Sequence, residues 1–162
     1  MKSSVSIDIA APSDLVFRLA SDPLRWPALL PHYVRARQIS SEADGSVIAT
    51  YVARRDFVPA MGIGIPVAWR SRSWSERESC RLRFRHLGGA TNGMEVTWHI
   101  EPSPGGCRVT IEHDFRPRLG AWATLTERAF VRPIATRTLA TFKTLAEAVT
   151  DAAESGQAPA TK

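Results

Sequence analysis

From Val34 to Arg116 the chain keeps a two-residue hydrophobic period through six successive segments, and no other feature limits its fold as strongly. The segments run near 34–42, 46–57, 65–77, 80–87, 93–101 and 107–116. Turn-forming residues separate them: Ala43-Asp44-Gly45, Gly62 to Gly64, Gly88-Gly89 and Pro104-Gly105-Gly106. Alternation at that spacing places successive side chains on opposite faces of a strand. A seventh alternating stretch, SVSIDIA at 4–10, sets Val5, Ile7 and Ile9 against Ser6 and Asp8. It is cut off from the others by APSDLVFRLASDPLRWPALLPHY. There Pro12-Ser13 and Asp22-Pro23 open two short helical pieces, the second confined by Pro27 and Pro31. After Pro117 the period changes: Leu139, Phe142, Leu145, Ala146 and Val149 recur at helical spacing within 120–154, and Pro133 must start, kink or interrupt that helix.

One strand, two short helices, six strands and one long helix predict a single α+β domain over residues 1–154. Seven antiparallel strands curl, and the long helix closes the curve over an interior space. The tail SGQAPATK, 155–162, is expected to be disordered.

Composition narrows the class. The chain has 162 residues, and 44% apolar and 23% charged content are ordinary for a globular domain with a substantial core. No run approaches the roughly 20 apolar residues of a membrane span. Asp8 and Asp14 interrupt any apolar signal core at the N-terminus, so a cytoplasmic location is expected. Cys80 and Cys107 are too few and too far apart for a metal knuckle or a redox pair. With four histidines at unpaired spacings, neither metal nor cofactor is expected.

RLRFRHL, residues 81–87, frames the functional question. Arg81, Arg83 and Arg85 share one strand face, while Leu82, Phe84 and His86 share the other. The same logic turns Met94, Val96, Trp98 and Ile100 inward, then Val109, Ile111, His113 and Phe115, then Val67, Trp69, Ser71 and Ser73. Bulky aromatics with a minority of polar groups suit a small-molecule pocket. Two readings of His86 and His113 stand side by side. Each is either buried and satisfied by a backbone or hydroxyl partner, or an acid/base group facing a ligand. Tyr33 divides evenly between cavity and surface, because Pro31 obscures its direction.

The outward arginines, Arg70 and Arg72 with Arg81, Arg83 and Arg85, also read two ways. They form a docking patch for an acidic protein or a membrane, or they pair across strands with glutamates such as Glu76 and Glu95. Nucleic acid is disfavoured, because base stacking needs outward aromatics. Gly62-x-Gly64 lacks the helix and lysine of a phosphate loop. VPAMGIGIP, 58–66, reads as a mobile apolar loop at the cavity mouth.

The element order resembles the helix-grip superfamily, also called START-like or SRPBCC. Within it, DPLRWPALLPHY followed by VRARQI is similar to a segment of bacterial polyketide aromatase/cyclases. Their Trp-Pro pair, following apolar residue and later Tyr match Trp26, Pro27, Leu29 and Tyr33. GMEVTWHIEPSPGGCRVTIEHDF resembles the family's last hairpin. The likeness runs from about Val5 to about Glu154.

The resemblance implies that Trp26, Tyr33, Trp69, Ser71, Met94 and Trp98 line a pocket, and Phe84 shares that inward face. It also marks departures. An arginine of those enzymes falls at Ser73, a second at His86, and a polar helix residue at Leu139. The implied activity is aldol-type cyclisation and dehydration of a polyketide-like chain. His86, His113 and Tyr33 would be the catalytic groups, and Trp26, Trp69 and Trp98 would stack on the product. The outward arginine patch, read as a docking surface, would take an acidic acyl carrier protein, and the state would be monomer or homodimer. The alternative within the superfamily is a non-catalytic carrier for a lipid, quinone or other hydrophobic ligand.

Overall fold

The structure, a computed structural model, describes residues 1–58, 63–89, 91–116 and 124–156. Seven strands form one antiparallel sheet: β1 (Lys2–Ile9), β2 (Tyr33–Ser41), β3 (Val47–Val58), β4 (Ile63–Glu76), β5 (Arg81–Gly88), β6 (Glu95–Ser103) and β7 (Gly106–Asp114). Their spatial order is β1-β7-β6-β5-β4-β3-β2. Strands β2 to β7 are therefore a meander of neighbours, and β1 closes onto the last of them, with Val5 opposite Ile111.

The chain must cross from one sheet edge to the other between β1 and β2, and the short helices make that crossing. Helix α1 (Ser13–Ala20) buries Val16, Phe17 and Ala20. A 3-10 turn (Pro23–Arg25) follows, with the Asp22 side chain accepting from the Leu24 amide at 3.2 Å and Pro23 at its first position. Helix α2 (Trp26–Leu29) then turns the Trp26 ring inward, where its Nε1 donates to the Ala20 carbonyl at 3.1 Å.

The long helix α3 (Arg132–Gly156) follows a π-helical turn at Glu127–Val131, with Pro133 in its first turn. Pro133 lacks an amide hydrogen, and the Ala129 carbonyl four residues back accepts from Arg55 Nε at 3.0 Å instead. The helix buries Ala135, Thr138, Leu139, Phe142 and Ala146. Val149, read from sequence as part of the same stripe, is 47% exposed because the last turns run past the core. Ser155 and Gly156 extend the helix into the segment expected to be disordered, and 157–162 lie outside the described residues.

Of VPAMGIGIP, residues 59–62 also lie outside the described residues. Ile63 to Pro66 instead continue the β3–β4 hairpin, opposite Val58, Asp56, Arg55 and Arg54. The inward faces meet as expected, and Leu82, Trp98, Ile100, Val109 and Ile111 are each at most 3% exposed. Gly106 is required where β7 starts: a Cβ there would lie 2.1 Å from the Ile9 carbonyl oxygen.

Candidate functional site

Between the sheet and α3 lies a partly open cavity of about 90 Å³. Trp26, Trp69 and Trp98 form much of its wall, with Phe84 and Val96 from the strands, Met94 from the turn before β6, and Ile134 and Ala135 from the helix. The Trp26 ring sits centrally, 5.4 Å from Trp98, 5.6 Å from Phe84 and edge-on to Tyr33 at 5.1 Å. Such offset and edge contacts are the favourable geometries for aromatic rings.

Five polar side chains interrupt this wall: Tyr33, His86, Thr91, His113 and Thr138. His86 is buried on β5, and its Nδ1 shares a hydrogen bond with the Thr91 hydroxyl at 2.7 Å. The tight connection to β6 puts Thr91 there, through Gly93 amide to His86 carbonyl and His86 amide to Met94 carbonyl bonds, both 2.9 Å. The imidazole also stacks on Trp69, centroids 5.9 Å apart and planes 12° apart. Burial, then the nearby His113, pushes its pKa down to about 3.

His113 is buried on β7, and its Nδ1 has no hydrogen-bond partner. Burial holds its pKa down at about 4; Glu127 acts in the opposite direction and Arg132 in the same one. Glu127 is itself buried in the π turn and pairs with Arg132 at 2.7 Å. Both cavity imidazoles are thus neutral at pH 7. The Tyr33 phenol is pushed up by burial, with the Thr138 hydroxyl acting the other way, so it stays protonated and a donor.

Three polar residues of this region, His32, Thr91 and Thr138, gave no signal in the sequence reading. His32 is 1% exposed, and its Nε2 lies 2.9 Å from the Thr138 hydroxyl, while its Nδ1 has no partner. Thr138 also donates to the Ile134 carbonyl at 2.8 Å, so His32 Nε2 is the donor of the pair and Nδ1 carries the lone pair. Burial, then Arg137, lowers the His32 pKa to about 4.

The family model described as polyketide cyclase / dehydrase and lipid transport matches residues 1–147. This chain belongs to that family. Over 110 residues this polyketide cyclase / dehydrase family member is 33% identical to a Streptomyces cyaneus protein named "Putative polyketide cyclase", an overlap of 67% of this chain and 68% of that one. Among solved structures, the Zhui aromatase/cyclase from Streptomyces sp. R1128 is similar with a TM-score of 0.73 and 18% identity. That match covers 91% of this chain and 93% of the other. A START superfamily protein from Mycobacterium smegmatis matches with a TM-score of 0.57 and 14% identity over 85% and 96% of the two chains. The fold is therefore the START-like helix-grip.

Against that family background, the sequence-expected site residues divide cleanly. Trp26, Tyr33, Trp69, Phe84, His86, Met94, Trp98 and His113 all line the one cavity. Ser71, Ser73 and Leu139 do not. Ser71 is fully buried and donates to the Arg85 carbonyl at 3.1 Å, beside the register shift at Arg70/Ser71. Ser73 donates to the Val47 carbonyl at 3.3 Å and borders a separate recess beside Tyr51. Short hydroxyl side chains reach their own sheet rather than the ligand space. Leu139 packs in the core one position past the wall residue Thr138.

Of the outward arginines, Arg72 bridges Asp44 at 2.6 Å and Arg83 approaches Glu76 at 3.4 Å. Among the described residues no group of three His, Cys, Asp or Glu side chains converges as metal ligands, and no helix is long and apolar enough to cross a membrane.

Proposed function

We propose that this chain binds a flexible, oxygen-bearing carbon chain in the aromatic cavity and promotes its aldol-type ring closure with loss of water. The observation that carries the reading is the set of neutral donors and acceptors, His86, His113 and Tyr33, gathered in one tryptophan-walled cavity. Membership of a family that includes polyketide cyclases supports it.

The lowered imidazole pKa values refine the chemistry. A group near 3 or 4 is a weak base at pH 7, and an imidazolium would be costly in this apolar space. A neutral imidazole with an N–H still polarises a ketone oxygen and stabilises the enolate, while the lone pair of the second ring takes the α-proton and returns it to the departing hydroxyl, which leaves as water. In this scheme Tyr33, held protonated, donates the second hydrogen bond to that oxygen. A ligand oxygen beside His113 would also restore an acceptor's environment and raise its basicity.

Ligand pockets usually span about 300–1,000 Å³. A cavity of about 90 Å³ must therefore widen to admit a chain. Val67, Trp69, Phe130 and Ile134, half-buried where the other wall residues are buried, are the ones with room to move.

The weak basicity favours one second reading, a carrier that holds a hydrophobic molecule without turning it over. One experiment separates the two. A linear poly-β-ketone thioester is incubated with the protein, and its products are compared with those of spontaneous closure. The cyclase reading expects a changed product ratio that collapses by about 10- to 100-fold in rate for His86→Ala or His113→Ala. Tight binding with an unchanged product ratio supports the carrier and overturns the cyclase.

A further inference from the structure

A second, charged recess of about 320 Å³ lies between β3 and α3, apart from the site above. Arg54, Arg55, Asp56 and His32 line it from the sheet side, and Ile134 and Arg137 line it from the helix. Asp56 is its one carboxylate, buried and 8% exposed. Arg54 Nε donates to Asp56 Oδ1 at 2.6 Å, and Arg137 donates to Oδ2. Arg55 donates to the Ala129 carbonyl at 3.0 Å and to the Asp56 backbone carbonyl. Two guanidiniums thus hold one carboxylate, and Arg55 lines the same recess with its donors on backbone carbonyls. Neutralising Asp56 needs one arginine, so the Arg54–Asp56–Arg137 cluster carries one positive charge in excess, which a further anion would offset.

The donors for such an anion are present. A guanidinium has five N–H groups, and Arg54 and Arg137 each give one to Asp56. Their side chains are about half exposed, at 50% and 44%. The recess also adjoins the aromatic cavity. Ile134 lines both spaces, and His32 in the recess is hydrogen-bonded to Thr138 in the cavity wall. Ile134 is half-buried and is the side chain shared by the aromatic space and the cationic one.

We propose that the Arg54–Arg55–Arg137 recess is an anion subsite that receives the carboxylate or phosphate end of a molecule whose apolar body occupies the aromatic cavity. This rests on the cavity being the ligand site and is independent of whether ring closure occurs there. Guanidinium geometry matches either anion, by two parallel hydrogen bonds.

The test compares octanoate, octyl phosphate and 1-octanol, none of which can cyclise, by calorimetry at low and high salt. At low salt one of the two anions is expected to bind about tenfold more tightly than the alcohol. That advantage shrinks as salt rises and falls several-fold in Arg54→Gln, whose side chain is half exposed, while 1-octanol affinity is unchanged. Whichever anion binds more tightly identifies the headgroup. Arg137→Gln is made together with Asp56→Asn, so that no buried carboxylate is left without a partner, and the same loss is expected. Equal affinity for all three probes overturns the proposal. So does an anion advantage that survives both variants. Failure of the poly-β-ketone assay would leave this result standing, and the converse also holds.

Discussion

Three buried histidines give the molecule a common pH signature. His32, His86 and His113 have folded-state pKa values near 4, 3 and 4, below the ordinary 6.5, chiefly because burial disfavours the charged ring. In the unfolded chain each ring takes up a proton as pH falls through about 6.5, whereas the folded protein resists until about 4 or below. The unfolded state binds more protons in that interval, so stability is full above about pH 6.5 and is lost as pH falls. Each ring contributes a slope of about 1.4 kcal/mol per pH unit. Thermal melts at pH 7, 6, 5 and 4 are expected to show a steepening loss. His32→Gln, which keeps a donor toward Thr138, should flatten the slope by about a third. A pH-independent Tm across that range would contradict the assignment of neutral, buried rings.

At the scale of elements, the joint between β1, α1 and β7 is the least forgiving. Gly106 leaves no room for a Cβ beside the Ile9 carbonyl and the Ala11 amide. Gly106→Ala is expected to cost on the order of 2 kcal/mol or more, read as a lower denaturation midpoint with an unchanged slope. Gly88→Ala, where nothing lies within 4 Å of the added carbon, serves as the control.

The elements themselves were legible because a half-buried strand writes its faces directly into alternate residues. The same alternation brought out His86 and His113, polar residues occupying apolar slots. What it could not show follows from its limits. Thr91 and His32 sit in connections with no period. Leu139 and Thr138 differ by one position on a helix, and an apolar stripe defined by every third or fourth residue does not resolve one-residue steps at its edge. Ser71 and Ser73 do point inward, yet inward-facing is not cavity-facing when a short side chain finds a neighbouring carbonyl first.

For the whole molecule, the order of the strands creates the site. Closing β7 onto β1 leaves β2 at the opposite edge, so the sheet curls around α3 and the tryptophans of α2, β4 and β6 meet across one space. The imidazoles reach that space from β5 and β7. The arginine recess forms where β3 passes the start of α3. The candidate site is thus a property of the hollow under the helix rather than of a local motif.

The most direct measurement is nitrogen NMR of the four histidine rings during titration with a hydroxylated naphthalene. The account predicts that His86 and His113 are neutral at pH 6 without ligand, and that their ring nitrogens shift on binding. His99, which sits on the outer face with Glu112 at 3.2 Å, should not respond. Ring signals for His86 and His113 that titrate near 6.5, and that ignore the ligand while it binds, would contradict it.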